Sequence, residues 1–273
     1  MNVAQAVQRG VALGLERLDA QLLVLYVLGQ AAHDRAWLLA HDTDALPPQA
    51  VCMLETLAAR RVVGEPLAYL TGHKEFYGLD LVVDARVLDP RPDTETLVEW
   101  ALEVLPHETS ARVIDMGTGS GAIALALKAA RPHLTVIALD YSTDALAVAQ
   151  ANAQRLQLDV QCIQGSWLDS VEGRFAAIVS NPPYIRADDR HLEALTHEPR
   201  QALASGHDGL DDIRHIIAQA TEHLEPGGWL LLEHGYDQAA DIRSMLQTTG
   251  FSQVQSRMDL AGIERCSGGR WPA

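Results

Sequence analysis

Four consecutive residues, Asn181-Pro182-Pro183-Tyr184, are built to hold an amine. Two adjacent prolines fix φ and remove two backbone N–H donors, so the carbonyls of Asn181 and Pro182 stay outside any helical ladder and remain available as acceptors. Asn181 adds a side-chain carbonyl oxygen and Tyr184 a flat aromatic face, which together would accept both protons of an –NH2 group and stack against its plane. A primary amide or an aromatic exocyclic amine suits such a corner. The same residue types also make an ordinary turn. Against that reading stands the preceding run Phe175-Ala176-Ala177-Ile178-Val179-Ser180, which reads as a buried strand and puts the motif past a strand's carboxyl end, where open α/β sheets bind ligands.

A second constellation, Asp115-Met116-Gly117-Thr118-Gly119-Ser120-Gly121, falls between a strand and a helix. Its glycines permit a tight turn and close approach of a ligand to bare backbone, while the helix that follows presents unpaired N–H groups. The spacing alone fits two chemistries. Gly117, Gly119 and Ala122 satisfy the dinucleotide pattern G-x-G-x-x-G/A, and Asp140, ending the next strand, would hold the ribose hydroxyls of NAD equally well. Asp115 tilts the choice, because a carboxylate is unfavourable beside a pyrophosphate and favourable beside an ammonium-bearing amino-acid moiety. S-adenosylmethionine carries that moiety and a sulfonium, but no phosphate. The acceptor corner at Asn181 points the same way, since it suits methyl transfer to nitrogen and has no purpose in hydride transfer. The expectation is a methyltransferase, argued from the site and not from the fold. The plain alternatives are a helix cap for Asp140 and a core aromatic for Trp167.

The elements that must position these residues are legible in the hydrophobic rhythm. Residues 2 to about 65 repeat apolar side chains at helical spacing, with Leu18, Leu22, Leu23, Leu25 and Tyr26, then Val51, Leu54, Leu57 and Ala58, interrupted by Pro47-Pro48; this predicts a small helical bundle. Phe76 to Val83 reads as two short strands around a Gly78 turn, a hairpin linker. Pro90-Arg91-Pro92 stops the extended segment, and Asp93-Thr94-Glu95 supplies acidic residues to the first turn of a helix running to about Leu105. From Arg112 strands alternate with helices: strands at 113–116, 135–139, 160–163, 175–179 and 229–233, and helices over 122–130, 145–156 and 212–224. This rhythm predicts a parallel sheet covered on both faces. The turn Glu225-Pro226-Gly227-Gly228 precedes the strand at Trp229, and two further strands are expected at 251–257 and 264–271.

Composition sets outer limits. The chain of 273 residues has 48% hydrophobic and 5% aromatic side chains, which suits aliphatic packing in a helix-rich α/β protein. A net charge of −15 argues against a generic polyanion binder, since nucleic-acid affinity rests on clustered Lys and Arg. The 3 cysteines, Cys52, Cys162 and Cys266, show no CxxC spacing, and the 11 histidines no HExxH, so neither a disulfide framework nor a metal site is expected. The N-terminus lacks a signal-peptide pattern and the run Leu22–Leu28 is too short to span a bilayer, so the reading is a soluble cytoplasmic protein.

Taken together, the glycine loop, Asp140, the Asn181 motif and Pro90-Arg91-Pro92-Asp93-Thr94-Glu95 resemble the HemK/PrmC family of release factor glutamine methyltransferases. The resemblance continues in Leu18-Asp19-Ala20, Gly64-Glu65-Pro66-Leu67-Ala68-Tyr69-Leu70-Thr71-Gly72, Glu198-Pro199, Gly206-His207-Asp208-Gly209-Leu210-Asp211 and Asp259-Leu260-Ala261-Gly262, and so covers nearly the whole chain. The glycine loop and Asn-Pro-Pro-Tyr are shared with many amino-methyltransferases; the N-terminal bundle and the Pro-Arg-Pro segment are the specific features. The architecture then expected is α/β, a Rossmann-like class I methyltransferase sheet over 91–273, with an N-terminal helical domain over 1–72 and a β-hairpin linker over 73–90.

The resemblance implies methylation of the side-chain amide nitrogen of the glutamine in the Gly-Gly-Gln motif of class 1 peptide chain release factors, with S-adenosylmethionine as donor. It implies donor contacts from Asp115, Gly117, Thr118, Gly119, Ser120, Gly121, Asp140, Trp167 and Asn181. It makes Asn181, Pro182, Pro183 and Tyr184 the residues that hold the glutamine. Neither direct nucleic-acid binding nor a membrane is implied. Asp89 departs from the family's usual aliphatic residue before Pro-Arg-Pro. The rival readings are a nucleic-acid amino-methyltransferase acting on adenine N6 or guanine N2, whose flipped base would fit the same corner, and a silent cofactor-binding module. The bundle is either the release-factor docking element or a stabiliser of the catalytic domain.

Overall fold

A computed structural model describes residues 1–105, 110–169 and 171–273. The chain divides into two compact units, Met1–His73 and Lys74–Ala273. The first contains helices α1 (Val3–Ala12), α2 (Arg17–Val27), α3 (Arg35–Ala40), α4 (Pro48–Val62) and α5 (Leu67–Thr71). Local chemistry sets their ends. Asn2 caps α1 in a reciprocal box with Gln5, Asp34 caps α3, and Pro48 occupies the first turn of α4, where its missing N–H costs nothing. Leu23, Val24, Leu25 and Leu54 are fully buried in this unit's own core. Asp19, in the first turn of α2, pairs with Arg61 at 2.7 Å.

Beyond the first unit, strands β1 (His73–Phe76) and β2 (Leu79–Val82) form the hairpin, and β1 starts earlier than its hydrophobicity suggested. His73-Lys74-Glu75 is a polar stretch with no apolar alternation to betray a strand. The hairpin is strapped down by Asn152, which is fully buried. Its Oδ1 accepts from Val82 N at 2.8 Å while Nδ2 donates to Val82 O at 2.9 Å and to Ser120 O at 3.0 Å.

The remaining elements are α6 (Glu95–Val104), β3 (Arg112–Met116), α7 (Ala122–Ala130), β4 (Thr135–Asp140), α8 (Thr143–Leu156), β5 (Gln161–Gln164) and β6 (Phe175–Ser180). They are followed by α9 (Asp211–His223), β7 (Leu224–Glu233), α10 (Ala239–Thr249), β8 (Ser252–Met258) and β9 (Glu264–Arg270). Seven strands form one sheet in the order β5-β4-β3-β6-β7-β9-β8. The first five run parallel, and β9 joins β7 and β8 antiparallel. Ile114, Met116, Phe175, Ile178, Leu230 and Leu232 are buried in the core between sheet and helices.

Chain order fixes where the site falls. From β3 the chain steps to β4 and β5 on one side, then returns to lay β6 and β7 on the other. Adjacent loops therefore diverge beyond the carboxyl ends of β3 and β6, which leaves a crevice. Met116 is registered with Ser180, so the glycine loop and the Asn181 motif leave the sheet side by side.

Three departures from the sequence reading concern strand β7, helix α10 and the start of α6. Strand β7 begins at Leu224, not Trp229: pairing jumps from Phe175–Leu224 to Ala177–Trp229, and the turn-like Glu225-Pro226-Gly227-Gly228 is absorbed as a bulge with Gly227 at φ +81°. Helix α10 was not expected. The opening of the 93–105 helix is a tight 3-10 turn over Pro92–Thr94, which sets Thr94 apart from the helix body.

Candidate active site

Between the loops after β3, β4 and β6 lies a cavity of about 270 Å³ lined by Gly117, Gly119, Asp140, Ser142, Trp167, Asn181 and Pro183 among others. Asp140 shapes its floor. One carboxylate oxygen accepts from Gly119 N at 2.9 Å and the other from Ser142 N at 2.9 Å, so the residue clasps the glycine loop to the start of α8. Each oxygen can take a second donor. Burial raises its pKa, and those backbone N–H groups oppose the rise. Asp140 is therefore no helix cap; the cap of α8 is Ser142.

Trp167 stands in the left-handed region at φ +49°, uncommon for a side chain of this size. Its indole N–H donates to Asp212 Oδ1 at 3.2 Å, and its ring lies over Gly117, where an added Cβ would meet it at 3.7 Å. The ring is part cavity wall and part core neighbour. Gly117 and Gly119, at φ +67° and +56°, give the turn a path that other residues rarely follow.

Several residues expected to touch a ligand do not line this cavity. Asp115 is fully buried beneath the loop, where Oδ2 accepts from Thr118 Oγ1 at 2.6 Å and from Ala124 N at 3.1 Å; Oδ1 has no partner among the described residues. Burial pushes its carboxyl up to about 7. The unpaired N–H groups of α7 draw the carboxylate inward, so it shapes the loop from below instead of facing a ligand's ammonium. Thr118 and Ser120 are likewise buried. Gly121 begins α7 at φ +85°, and a Cβ there would sit 3.0 Å from Leu125 Cδ1 and 3.3 Å from Ala149 Cβ; it is glycine for packing and not for ligand approach. These four residues thus surround the loop without lining the cavity.

The Asn181 motif divides in the same way. Asn181 Nδ2 donates to Thr94 Oγ1 at 3.3 Å, which turns the nitrogen inward and leaves Oδ1 without a hydrogen bond among the described residues. The backbone carbonyls of Asn181 and Pro182 also accept none among those residues. Pro183 lines the large cavity, and Pro182 is buried behind it. Tyr184 faces a smaller adjoining cavity of about 90 Å³ that shares Leu88, Asn181 and Ala202 with the first. Its hydroxyl donates to Glu233 Oε1 at 3.4 Å; burial and that carboxylate hold the phenol well above its usual range, so it stays neutral.

Residues not anticipated from the sequence complete the surround. Arg91 lines the smaller cavity and reaches Glu198 Oε1 at 2.5 Å. Asp89 is buried beside it, with Lys74 Nζ at 3.2 Å and Arg91 at 3.5 Å, so ionic pairing fills the space an aliphatic residue would occupy. Thr94, quoted above only within the Pro-Arg-Pro segment, and Glu233, at the end of the strand at 229–233, carried no expected role in the site.

Gly209 shows how tightly the motif is backed. At φ +78°, an added Cβ would overlap the Tyr184 carbonyl oxygen and approach Gln238 Nε2 to 2.8 Å, the group that donates to that carbonyl at 3.0 Å. Gly209→Ala is expected to cost roughly 1–3 kcal/mol of stability through overpacking and backbone strain, measured by denaturant unfolding; a loss near zero would contradict this backing role.

Comparison with known proteins matches both parts of the chain. Residues 93–256 fit the family model described as Methyltransferase small domain, and residues 4–72 that of the PrmC N-terminal domain. A release factor glutamine methyltransferase of Bordetella pertussis is 49% identical over 260 residues, covering 94% of this chain and 95% of the relative. Another, from Coxiella burnetii, is 47% identical and covers 91% and 90%. Among solved structures, a methyltransferase from Pyrococcus furiosus superposes with a TM-score of 0.58 over 80% of this chain and 100% of the other, at 18% identity, a likeness of fold.

Proposed function

The chain belongs to the release factor glutamine methyltransferase family, and from that premise we propose that it methylates the side-chain amide nitrogen of the Gly-Gly-Gln glutamine in class 1 peptide chain release factors. The observation that carries this reading is the Asn181 corner: Asn181, whose Oδ1 has no hydrogen bond among the described residues, lines with Pro183 a cavity that also holds bare glycines and Asp140.

The methyl donor is S-adenosylmethionine, and the cavity's chemistry fits it. Asp140 keeps acceptor capacity for ribose hydroxyls, and the glycine backbone admits close approach. Among the described lining residues the one basic side chain is Arg86, which is paired with Asp84, so the cavity suits a cationic ligand without phosphate. When bound, this donor supplies a methyl group on a positive sulfonium. Gly117, Gly119, Asp140, Trp167 and Asn181 are the proposed donor contacts.

An amide nitrogen is a weak nucleophile, its lone pair delocalised into the carbonyl, so the protein's task is alignment and charge placement. Asn181 Oδ1 and the Pro182 carbonyl accept the two amide protons and favour the positive character that grows on nitrogen at transfer. Tyr184, walling the small cavity next to Asn181, is the surface against which the amide plane packs. The proton released from nitrogen departs to solvent from these acceptors. Among the described residues, the carboxylates lining the large cavity are already engaged, Asp140 by backbone N–H groups and Asp212 Oδ1 by Trp167.

The helical unit is proposed as the release-factor docking element, supported by its own core and its separate family match. Among the described residues no helix is long and apolar enough to cross a membrane. A cytoplasmic location is proposed from the substrate class. Incubation with labelled donor and either full-length release factor, duplex DNA or rRNA tests the function. Label on the release factor alone is expected; label on nucleic acid alone would establish a nucleic-acid methyltransferase, and donor retention without transfer a silent binder.

A further inference from the structure

Both ends of the Asn-Pro-Pro-Tyr motif lead to one buried carboxylate. Strands β6 and β7 run parallel with Ser180 opposite Leu232, so Asn181 and Glu233 leave the sheet next to each other. Tyr184 donates its hydroxyl to Glu233 Oε1, and the Thr94 hydroxyl lies close enough to the same carboxylate to favour its charged form. Thr94 Oγ1 in turn accepts from Asn181 Nδ2. Glu233 is 2% exposed, and its Oε2 has no hydrogen-bond partner among the described residues. A buried carboxylate is costly, and the residues just before it, Leu230-Leu231-Leu232, show what simple packing uses here.

Hydrogen-bond polarity gives this carboxylate a task. Threonine has one hydroxyl proton, and an ionised Glu233 can only accept. A charged Glu233 beside Thr94 draws that proton toward itself, and Thr94 Oγ1 then accepts from Asn181, as it does at 3.3 Å, which turns the carboxamide nitrogen inward and its oxygen outward. Were the hydroxyl free to donate to Asn181 instead, the carboxamide would reverse and meet a substrate –NH2 with an –NH2 of its own. We propose that Glu233 is a positioning residue that, through Thr94, fixes which end of the Asn181 carboxamide meets the substrate nitrogen. The proposal rests on the reading of Asn181 as the acceptor of the glutamine amide.

The surroundings make the device sensitive to pH. Burial pushes Glu233 up to about 7, and Asp93 in the 3-10 turn adds to the rise; Thr94, Tyr184 and Arg265 oppose it. On β9, Cys266 is registered directly opposite, its thiol pushed up by burial and by Glu233 so that it stays neutral. Once protonated, Glu233 can donate to Thr94, releasing the threonine proton toward Asn181. Activity should therefore fall as pH drops through about 7.

The test is steady-state kinetics of the full-length enzyme with full-length release factor, across pH, with donor Kd measured for each variant to show an intact fold. Thr94→Val should lower kcat about tenfold or more, with donor Kd and release-factor KM within about twofold, as for loss of a positioned group. Thr94→Ser should recover most of that loss. Glu233→Gln, whose amide oxygen can still accept from Thr94, should lose the acidic limb of the profile. Wild-type kcat in Thr94→Val, equal damage from Val and Ser, or an acidic limb that survives Glu233→Gln would each overturn the proposal. Absence of transfer by the unaltered enzyme would instead refute the proposed function.

Discussion

Asn181→Ala is expected to lower kcat for methyl transfer by roughly 10²- to 10³-fold, the range for deleting one preorganised polar group at a transition state. Donor Kd should rise by less than about tenfold, because Asn181 is one of several proposed donor contacts and glycine backbone, Asp140 and Trp167 remain in that cavity's lining. The reasoning is geometric. Thr94 holds the carboxamide nitrogen, so the oxygen is preset before substrate arrives and no reorganisation is needed at transfer. Asn181→Asp sharpens the result: it keeps an acceptor, but its added charge and the loss of the donor to Thr94 disturb the arrangement. Stopped-flow single-turnover rates separate the chemical step from product release. A single-turnover rate for Asn181→Ala near that of the unaltered enzyme would remove Asn181 from the chemistry.

The second large effect belongs to donor binding. Asp140→Ala should raise the donor Kd by roughly 10- to 100-fold, because hydrogen bonds to a charged group contribute about 1.5–3 kcal/mol. The substitution also unfastens Gly119 N and Ser142 N, both now held by this carboxylate. Asp140→Asn discriminates the two contributions. It retains one acceptor oxygen and should fall between wild type and alanine. Isothermal calorimetry with S-adenosylmethionine reads both variants, and a Kd unchanged in Asp140→Ala would show that the residue only shapes the loop.

How much of this was legible in the sequence follows from what kind of signal each residue carries. The strands at Val113, Thr135 and Phe175 are mostly apolar runs, and such runs announce buried parallel strands. Helix Ala122–Ala130 was found at its observed limits because a glycine turn precedes it and its apolar residues are dense. Strand β1 was placed too late because its first residues are polar, and the start of β7 was hidden because Pro226-Gly227-Gly228 has the composition of a turn and the structure uses it as a bulge.

At the site, the motifs located the loops correctly but not the direction of every side chain. Asp115 and Asp140 are both aspartates at strand ends, yet one is drawn under the loop by the α7 amides and the other faces the cavity. Nothing in local spacing separates them; the difference arises from which loop each strand feeds. The roles of Thr94 and Glu233 were not legible for a related reason. Thr94 reaches Asn181, and Glu233 reaches Tyr184, only through long-range folding that places β7 beside β6 and brings the 3-10 turn to the motif, contacts separated by 87 and 49 residues. Asp89 looked anomalous alone and becomes ordinary once Lys74 and Arg91 are seen around it.

Fragmentation mass spectrometry of a release factor, after incubation with this protein and S-adenosylmethionine, addresses the central claim most directly. The account requires one added methyl on the side-chain nitrogen of the glutamine in Gly-Gly-Gln, absent when Asn181→Ala replaces the unaltered enzyme. A methyl on any other residue, or the same methylated glutamine at equal yield and rate from the Asn181 variant, would contradict it.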